Sequence, residues 1–235
     1  MENRKIRTVH RLLLKTYGEP ERSPVDAVST LICTILSQNT NDNNRDRAYT
    51  ALREKFPTWN QVRDAPTRQV IAAIRSAGLA NQKGPRIQRV LRRITTECKS
   101  RGVPELNIDF LADLPVEEAK QWLTSLDGVG PKTAAIVLLF SLNRPAFPVD
   151  THVHRVTTRL GLIPESTTAE KAHGLLEALV PPEWYYAFLL NLIAHGRAVC
   201  KAQRPRCEIC PLQKHCDYFV KRDARILRPT IGEKR

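Results

Sequence analysis

No stretch of the sequence is apolar for long enough to cross a membrane: the longest uninterrupted run, Ala134 to Phe140, falls far short of the roughly 20 residues that a bilayer span needs. The first ten residues, MENRKIRTVH, are charged and carry no apolar signal region. Nowhere do apolar and polar residues alternate as they do in a half-buried strand, so the expectation is a nearly all-α protein. Acidic residues are in deficit, 24 Asp and Glu against 37 Lys and Arg, and the formal charge is +13. Such an excess points to a polyanionic partner, nucleic acid before membrane. The expectation is a soluble, cytoplasmic protein associated with the nucleoid. In that compartment six cysteines are metal ligands or buried thiols rather than disulfides. At 235 residues the chain can bury a core as one large domain or two small ones.

Between Leu126 and Arg159 lies the densest chemistry. Gly128 and Gly130 in the turn Asp127-Gly128-Val129-Gly130 can take positive φ and lack a Cβ, so the amides of Gly128, Val129 and Gly130 are expected to face one anion. Pro131 fits the first helical position, and a helix N-terminus fronted by free amides suits a nucleic-acid phosphate. A plain connection between two helices is the bland alternative, because GxG before a helix is a weak pattern. Lys132 strengthens the functional reading: an amine becomes a nucleophile once its pKa is pulled down, and the helix dipole and the apolar run Ala134 to Phe140 both act in that direction. The bland role for Lys132 is a solvated point charge on a phosphate. Asp150, before Thr151-His152-Val153, is a good helix N-cap whether or not it is also catalytic.

Cys200, Cys207, Cys210 and Cys216 follow a 6-2-5 spacing on a loop rich in proline and basic residues, so four thiolates can surround one metal centre. By spacing alone zinc is the commoner choice, with a [4Fe–4S] cluster as the alternative. Cys33 and Cys98 stand apart, the latter as a buried or half-buried thiol. His152 and His154 diverge on a helix, which argues against a metal pair.

Leu-x-Gly-Val-Gly-x-Lys-Thr-Ala, eighteen residues from Lys132 to Asp150, then Val-Asp-Thr-His-Val, and finally the cysteine spacing after His-Gly-Arg, together resemble the helix-hairpin-helix DNA glycosylases of the endonuclease III family. The resemblance spans roughly residues 3 to 219. It implies a two-lobed all-α helix-hairpin-helix glycosylase fold: a six-helix barrel domain over 22–133, an iron–sulfur domain made of 1–21 and 134–219, and a basic tail over 220–235. It implies catalysis by Lys132 and Asp150 and a [4Fe–4S] cluster on Cys200, Cys207, Cys210 and Cys216. Lys201, Arg204 and Arg206 would clamp phosphates, Leu79 would act as a wedge, and His152 would support the site or touch a phosphate. The family's void-filling glutamine matches Asn39 by count while Gln38 stands one earlier, so both are carried as candidates. The hairpin departs from better-known bacterial members by Asp127 and Pro131 in place of proline and arginine. The implied activity is a bifunctional glycosylase/AP lyase acting as a monomer on oxidised pyrimidines in duplex DNA. The alternatives are a mismatch or modified-cytosine glycosylase and a non-catalytic iron–sulfur DNA-binding protein.

The remaining pattern is helical. A basic amphipathic helix over 3–17 turns Ile6, Val9, Leu13 and Leu14 inward and ends at Gly18. Ser23-Pro24 opens an apolar helix to about Leu36, Asp42 caps the next, and Thr67 to Ala77 closes on Gly78. Further helices are expected from Pro85 to Arg101, around Trp122, from Asp150 to Gly161, after a Thr167-x-x-Glu170 capping box, and from Trp184 to Ile193. Beyond Asp217 the tail is expected to be disordered or loosely docked.

Overall fold

The computed structural model describes residues 2–23 and 25–226. In chain order the α-helices among them are α1 Glu2–Tyr17, α2 Ala27–Ser37, α3 Asp42–Lys55, α4 Trp59–Asp64, α5 Thr67–Ala73, α6 Ala80–Arg101, α7 Val116–Thr124, α8 Pro131–Ile136, α9 Thr151–Leu160, α10 Ala169–Leu179, α11 Tyr185–Ala198 and α12 Asp217–Ile226. A π-helical turn, Val137–Ser141, continues α8. No strand occurs among the described residues, in keeping with the all-α expectation.

Two compact units emerge, Arg22–Pro148 and Met1–Glu21 with Val149–Arg235. The return crossing therefore lies at 148/149 and not at 133/134. Ala134, Ala135, Val137, Leu138, Leu142 and Ala146 belong to the same buried cluster as α2 and α6, which holds the chain after the hairpin in the first of these units. On α2, Val28, Leu31, Ile32, Ile35 and Leu36 are fully buried; on α6, Ile87, Leu91 and Ile94 are too. Each such side chain contributes about 1.5–3 kcal/mol by leaving water, which outweighs any single capping bond.

Helix starts are where tertiary context overrode the local signals. Asp26, not Ser23, caps α2, its carboxylate accepting from the Ser29 amide at 2.6 Å; Pro24 itself lies outside the described residues. Asn41, not Asp42, caps α3 by accepting from the Asn44 amide at 2.9 Å, and Asp42 pairs with Arg45 inside the first turn. α6 begins at Ala80, ahead of Pro85: the proline ring removes one amide whose acceptor would be Asn81, an exposed residue whose carbonyl can meet water. Thr168, not Thr167, caps α10, because the Thr167 carbonyl is held by His154 Nε2 at 2.8 Å. Thr58 and Gln61 make a capping box at α4 that the sequence reading missed.

The other unit wraps α1 onto α11, with Ile6, Val9 and Leu13 fully buried and Gly18 closing α1 at φ 83°. His10 stacks on Trp184, ring centroids 4.5 Å apart, and burial holds it below the ordinary histidine value of 6.5 despite the opposing pull of Glu19. The folded state keeps His10 neutral where the unfolded chain takes up a proton, so this residue's contribution is present above about pH 6.5 and is lost as pH falls below it. Urea midpoints of wild type and His10→Phe between pH 5 and 7.5 are expected to converge at acid pH as wild type loses that contribution. The segment beyond Asp217 corrects the tail expectation: α12 runs to Ile226, anchored by Lys5 Nζ to Asp217 at 2.6 Å. The rest of the expected basic tail, 227–235, lies outside the described residues.

Candidate functional site

The hairpin between α7 and α8 is built around a single left-handed residue. Gly128 has φ 71°, which favours glycine, and a Cβ there would also force the Arg86 side chain to move. Gly130 differs from expectation: at φ −95°, ψ 179° it is ordinary extended backbone, and the space around its missing Cβ is open. Nor do all three amides face outward. The Val129 amide is engaged by the Leu126 carbonyl at 3.1 Å and Val129 is buried, whereas the Gly128 and Gly130 amides have no acceptor among the described residues. Asp127 compensates for its own charge by pairing with Arg89 on α6, Nε at 3.0 Å, with Arg86 Nε 3.7 Å away.

Lys132 stands exposed in the first turn of α8. Behind it Thr133, Ala134 and Ala135 are buried, so the apolar wall expected around the amine backs the helix instead of surrounding the side chain. No hydrogen bond or ion pair engages Lys132 among the described residues.

Gln38 and Asn39, adjacent in sequence, have separate environments. Gln38 is half-buried and donates from Nε2 to the Gly128 carbonyl at 2.9 Å, while its Oε1 accepts from Arg86 at 3.3 Å. Asn39 is exposed at φ 53°. Leu79 is also left-handed, φ 49°, and 47% exposed, after Gly78 at φ 69°. A left-handed leucine costs of order 1–3 kcal/mol, which points to a use at this position beyond packing on its own helix.

In the other unit, Asp150 caps α9 as expected, Oδ1 accepting from the Val153 amide at 2.7 Å, and it is half-buried. His152 packs against Gly196, where a Cβ would approach its ring to 3.1 Å, and Nδ1 meets Arg155 Nη2 at 3.1 Å; His154 turns away to Thr167, so the two histidines do not converge.

Cys200, Cys207, Cys210 and Cys216 line one pocket, with Val156, Leu160 and His195 among its walls. Among the described residues no three His, Cys, Asp or Glu side chains close on a single ion position. Four cysteines on one pocket are the donor set that a [4Fe–4S] cluster takes. Burial pushes the Cys210 thiol up to about 11, so a cationic centre is what would hold it as thiolate. His195 is buried, with Tyr17 Oη at 3.0 Å from Nδ1 and the Cys210 sulfur at 3.6 Å from Nε2; burial pulls it down to about 4 and keeps the ring neutral.

Two arginines to which the sequence assigned no role, one of them within the motif that follows Asp150, organise this loop. Arg155 Nε donates to the Cys200 carbonyl at 3.0 Å and Nη2 to the Gly196 carbonyl at 2.9 Å. Arg159 donates to the carbonyls of Lys201 at 2.7 Å and Ala202 at 2.9 Å and reaches the Cys200 sulfur at 3.4 Å. Their i, i+4 spacing on α9 was the available signal. Lys201, Arg204 and Arg206 are all exposed, and Arg204 is left-handed at φ 48°.

Residues 32–182 match the HhH-GPD superfamily of base excision DNA repair proteins, and residues 200–216 match the iron–sulfur binding domain of endonuclease III. An Arabidopsis thaliana protein named as a DNA glycosylase is 35% identical over 215 residues, 88% of this chain and 71% of that one. Endonuclease III of Thermotoga maritima is 33% identical over 217 residues, 92% and 94% of the two chains. The structure of a trapped endonuclease III–DNA covalent intermediate superposes with a TM-score of 0.77 at 29% identity, covering 94% of this chain and 98% of that chain. Fold and site thus define a helix-hairpin-helix DNA glycosylase of base excision repair. More narrowly, the chain belongs to the endonuclease III family: it is a DNA-binding glycosylase/AP lyase whose cofactor is a [4Fe–4S] cluster.

Proposed function

We propose that Lys132 is the nucleophile, that Asp150 handles the proton, and that the substrates are oxidised pyrimidines in duplex DNA. The exposed, unpartnered amine of Lys132 beside the open Gly130 turn carries this reading, because it leaves the nucleophile accessible to a nucleotide turned out of the helix. The amine attacks C1′ and the base leaves with the glycosidic bonding electrons and takes up a proton. Opening of the sugar gives an imine; loss of the C2′ proton then expels the 3′ phosphate, and water releases Lys132. The Asp150 carboxylate accepts the proton from the attacking amine and offsets positive charge at the sugar. The pyrimidine assignment is what the resemblance to the endonuclease III family implies, and Endonuclease III is the name of the Thermotoga relative.

The amides of Gly128 and Gly130 bind backbone phosphate, Asn39 fills the vacated space, Leu79 wedges the opposite strand, and Gln38 steadies the hairpin instead of entering the duplex. Val129 contributes through its turn bond to Leu126. Cys200, Cys207, Cys210 and Cys216 hold the cluster, which supplies a rigid centre from which Lys201, Arg204 and Arg206 meet phosphates, with His152 braced by Arg155 beside the loop. The protein works as a monomer on nucleoid DNA in the cytoplasm, a reading supported by its formal charge of +13.

Borohydride trapping on duplexes bearing thymine glycol, uracil opposite guanine or a T·G mismatch tests the assignment; fastest trapping on either mismatch would overturn the substrate class. Asp150 offers a separable test. Asp150→Asn keeps an N-cap while removing the charge, so it is expected to fold normally and lose about 10²-fold or more in excision rate, whereas Asp150→Ala should also lose about 1 kcal/mol of stability. Single-turnover rates and thermal midpoints check the pair.

A further inference from the structure

The longest helix among the described residues, α6, buries a lysine about as completely as the apolar residues it turns into the core. Lys83 is 1% exposed, and its Nζ donates to the carbonyls of Leu36 at 2.7 Å and Ala77 at 2.9 Å. No carboxylate is recorded beside it among the described residues, and burial and the neighbouring Arg86 both work against its charge. A methionine would fill the same volume without that desolvation, so the ammonium has a use that packing does not explain.

Both acceptors are carbonyls at the ends of helical turns, where intrahelical donors run out. Leu36 lies in the last turn of α2, just ahead of left-handed Asn39; Ala77 ends the 3₁₀ turn just ahead of Gly78 and left-handed Leu79. One ammonium therefore fastens the roots of both segments. One turn further along the same face of α6, Arg86 holds Gln38 and lies beneath Gly128.

We propose that Lys83 is a positioning residue for nucleotide extrusion: by bonding the Leu36 and Ala77 carbonyls together it fixes the spacing of Asn39 and Leu79, so that the two side chains enter the duplex as one unit. The inference rests on the reading of Asn39 and Leu79 as the inserting residues. Neither loop loses its local turn when Lys83 is replaced; what is lost is their common anchor.

Lys83→Met, in the full-length cluster-loaded protein, is compared with Asn39→Ala and Leu79→Ala on a duplex bearing thymine glycol beside 2-aminopurine, and on a preformed abasic site in single-stranded DNA. Lys83→Met is expected to slow the fluorescence rise and single-turnover excision in the duplex by about tenfold or more, and to leave cleavage of the single strand within about twofold. Equal slowing on both substrates would mean a role in the fold alone and overturns the proposal. Normal duplex rates for Lys83→Met, with slow rates for the two alanine variants, overturn the brace and leave the inserting residues standing. Normal rates for both alanine variants remove the reading on which it rests. Should Lys83→Met not fold, the Asn39→Ala/Leu79→Ala double variant decides with Lys83 intact: a loss no greater than that of either single variant supports one coupled unit, and multiplied losses overturn it.

Discussion

Lys132→Gln is expected to abolish the borohydride-trapped adduct and to lower base release and strand cleavage by about 10³-fold or more, while duplex affinity stays within a few-fold of wild type. The separation follows from where the side chain sits. Lys132 is exposed and engages no partner among the described residues, so its replacement disturbs neither the buried Thr133, Ala134 and Ala135 nor the hairpin fixed by Gly128. Glutamine is nearly as good a helix former as lysine, which keeps the change local. The phosphate contacts proposed for the hairpin amides and the basic loop do not involve Lys132, and contacts of that kind dominate affinity. Unchanged cleavage by Lys132→Gln would remove the amine mechanism.

Cys210→Ser should have the broadest effect. Its sulfur lies in the pocket shared by all four thiols and beside His195 Nε2 at 3.6 Å, so removing it takes away a proposed ligand and leaves a buried ring nitrogen without its sulfur partner. Iron content and visible absorbance are expected to fall to a small fraction of wild type. DNA affinity should drop by about tenfold or more, because Lys201, Arg204 and Arg206 are presented on backbone that the loop holds in place. Arg155 and Arg159 still tether Cys200, Lys201 and Ala202 by backbone bonds, so the loss should be concentrated between Cys207 and Cys216. Iron analysis, and hydrogen exchange compared across 200–206 and 207–216, check both parts. A variant that keeps its iron would exclude Cys210 as a ligand.

Much of the site was legible because its parts use local rules. The cap at Asp150, the first-turn proline before Lys132 and the spacing of the four cysteines each follow from residues within a few positions of one another. What escaped depends on partners far along the chain. Val129 reads as a free amide until the turn bond to Leu126 is seen, and Gly130 reads as a positive-φ glycine although only Gly128 is one. Lys83, in the polar run Asn81-Gln82-Lys83, carries no local sign of burial; the folding of α6 against the ends of α2 and the 3₁₀ turn buries it. The amide that steadies the hairpin and the one left free are neighbours, Gln38 and Asn39, and no composition rule separates them. Position relative to Arg86 and Gly128 does. The domain crossing was misplaced for the same reason: an apolar run shows that 134–142 is buried, not which core buries it.

The unit that holds the cysteine pocket is assembled from both ends of the sequence, Tyr17 meeting His195 across 178 positions. On a ribosome, α1 therefore emerges long before α11, the helix it packs on. The residues from Arg22 to Pro148 can complete their own core while α1 still waits for α11 to emerge. Long-range closure of this kind is slow, and it leaves Ile6, Val9 and Leu13 uncovered in the interval. Newly made chains should accordingly be most exposed to proteolysis near α1, and iron delivery has to follow release of the last cysteine, well after the hairpin is finished.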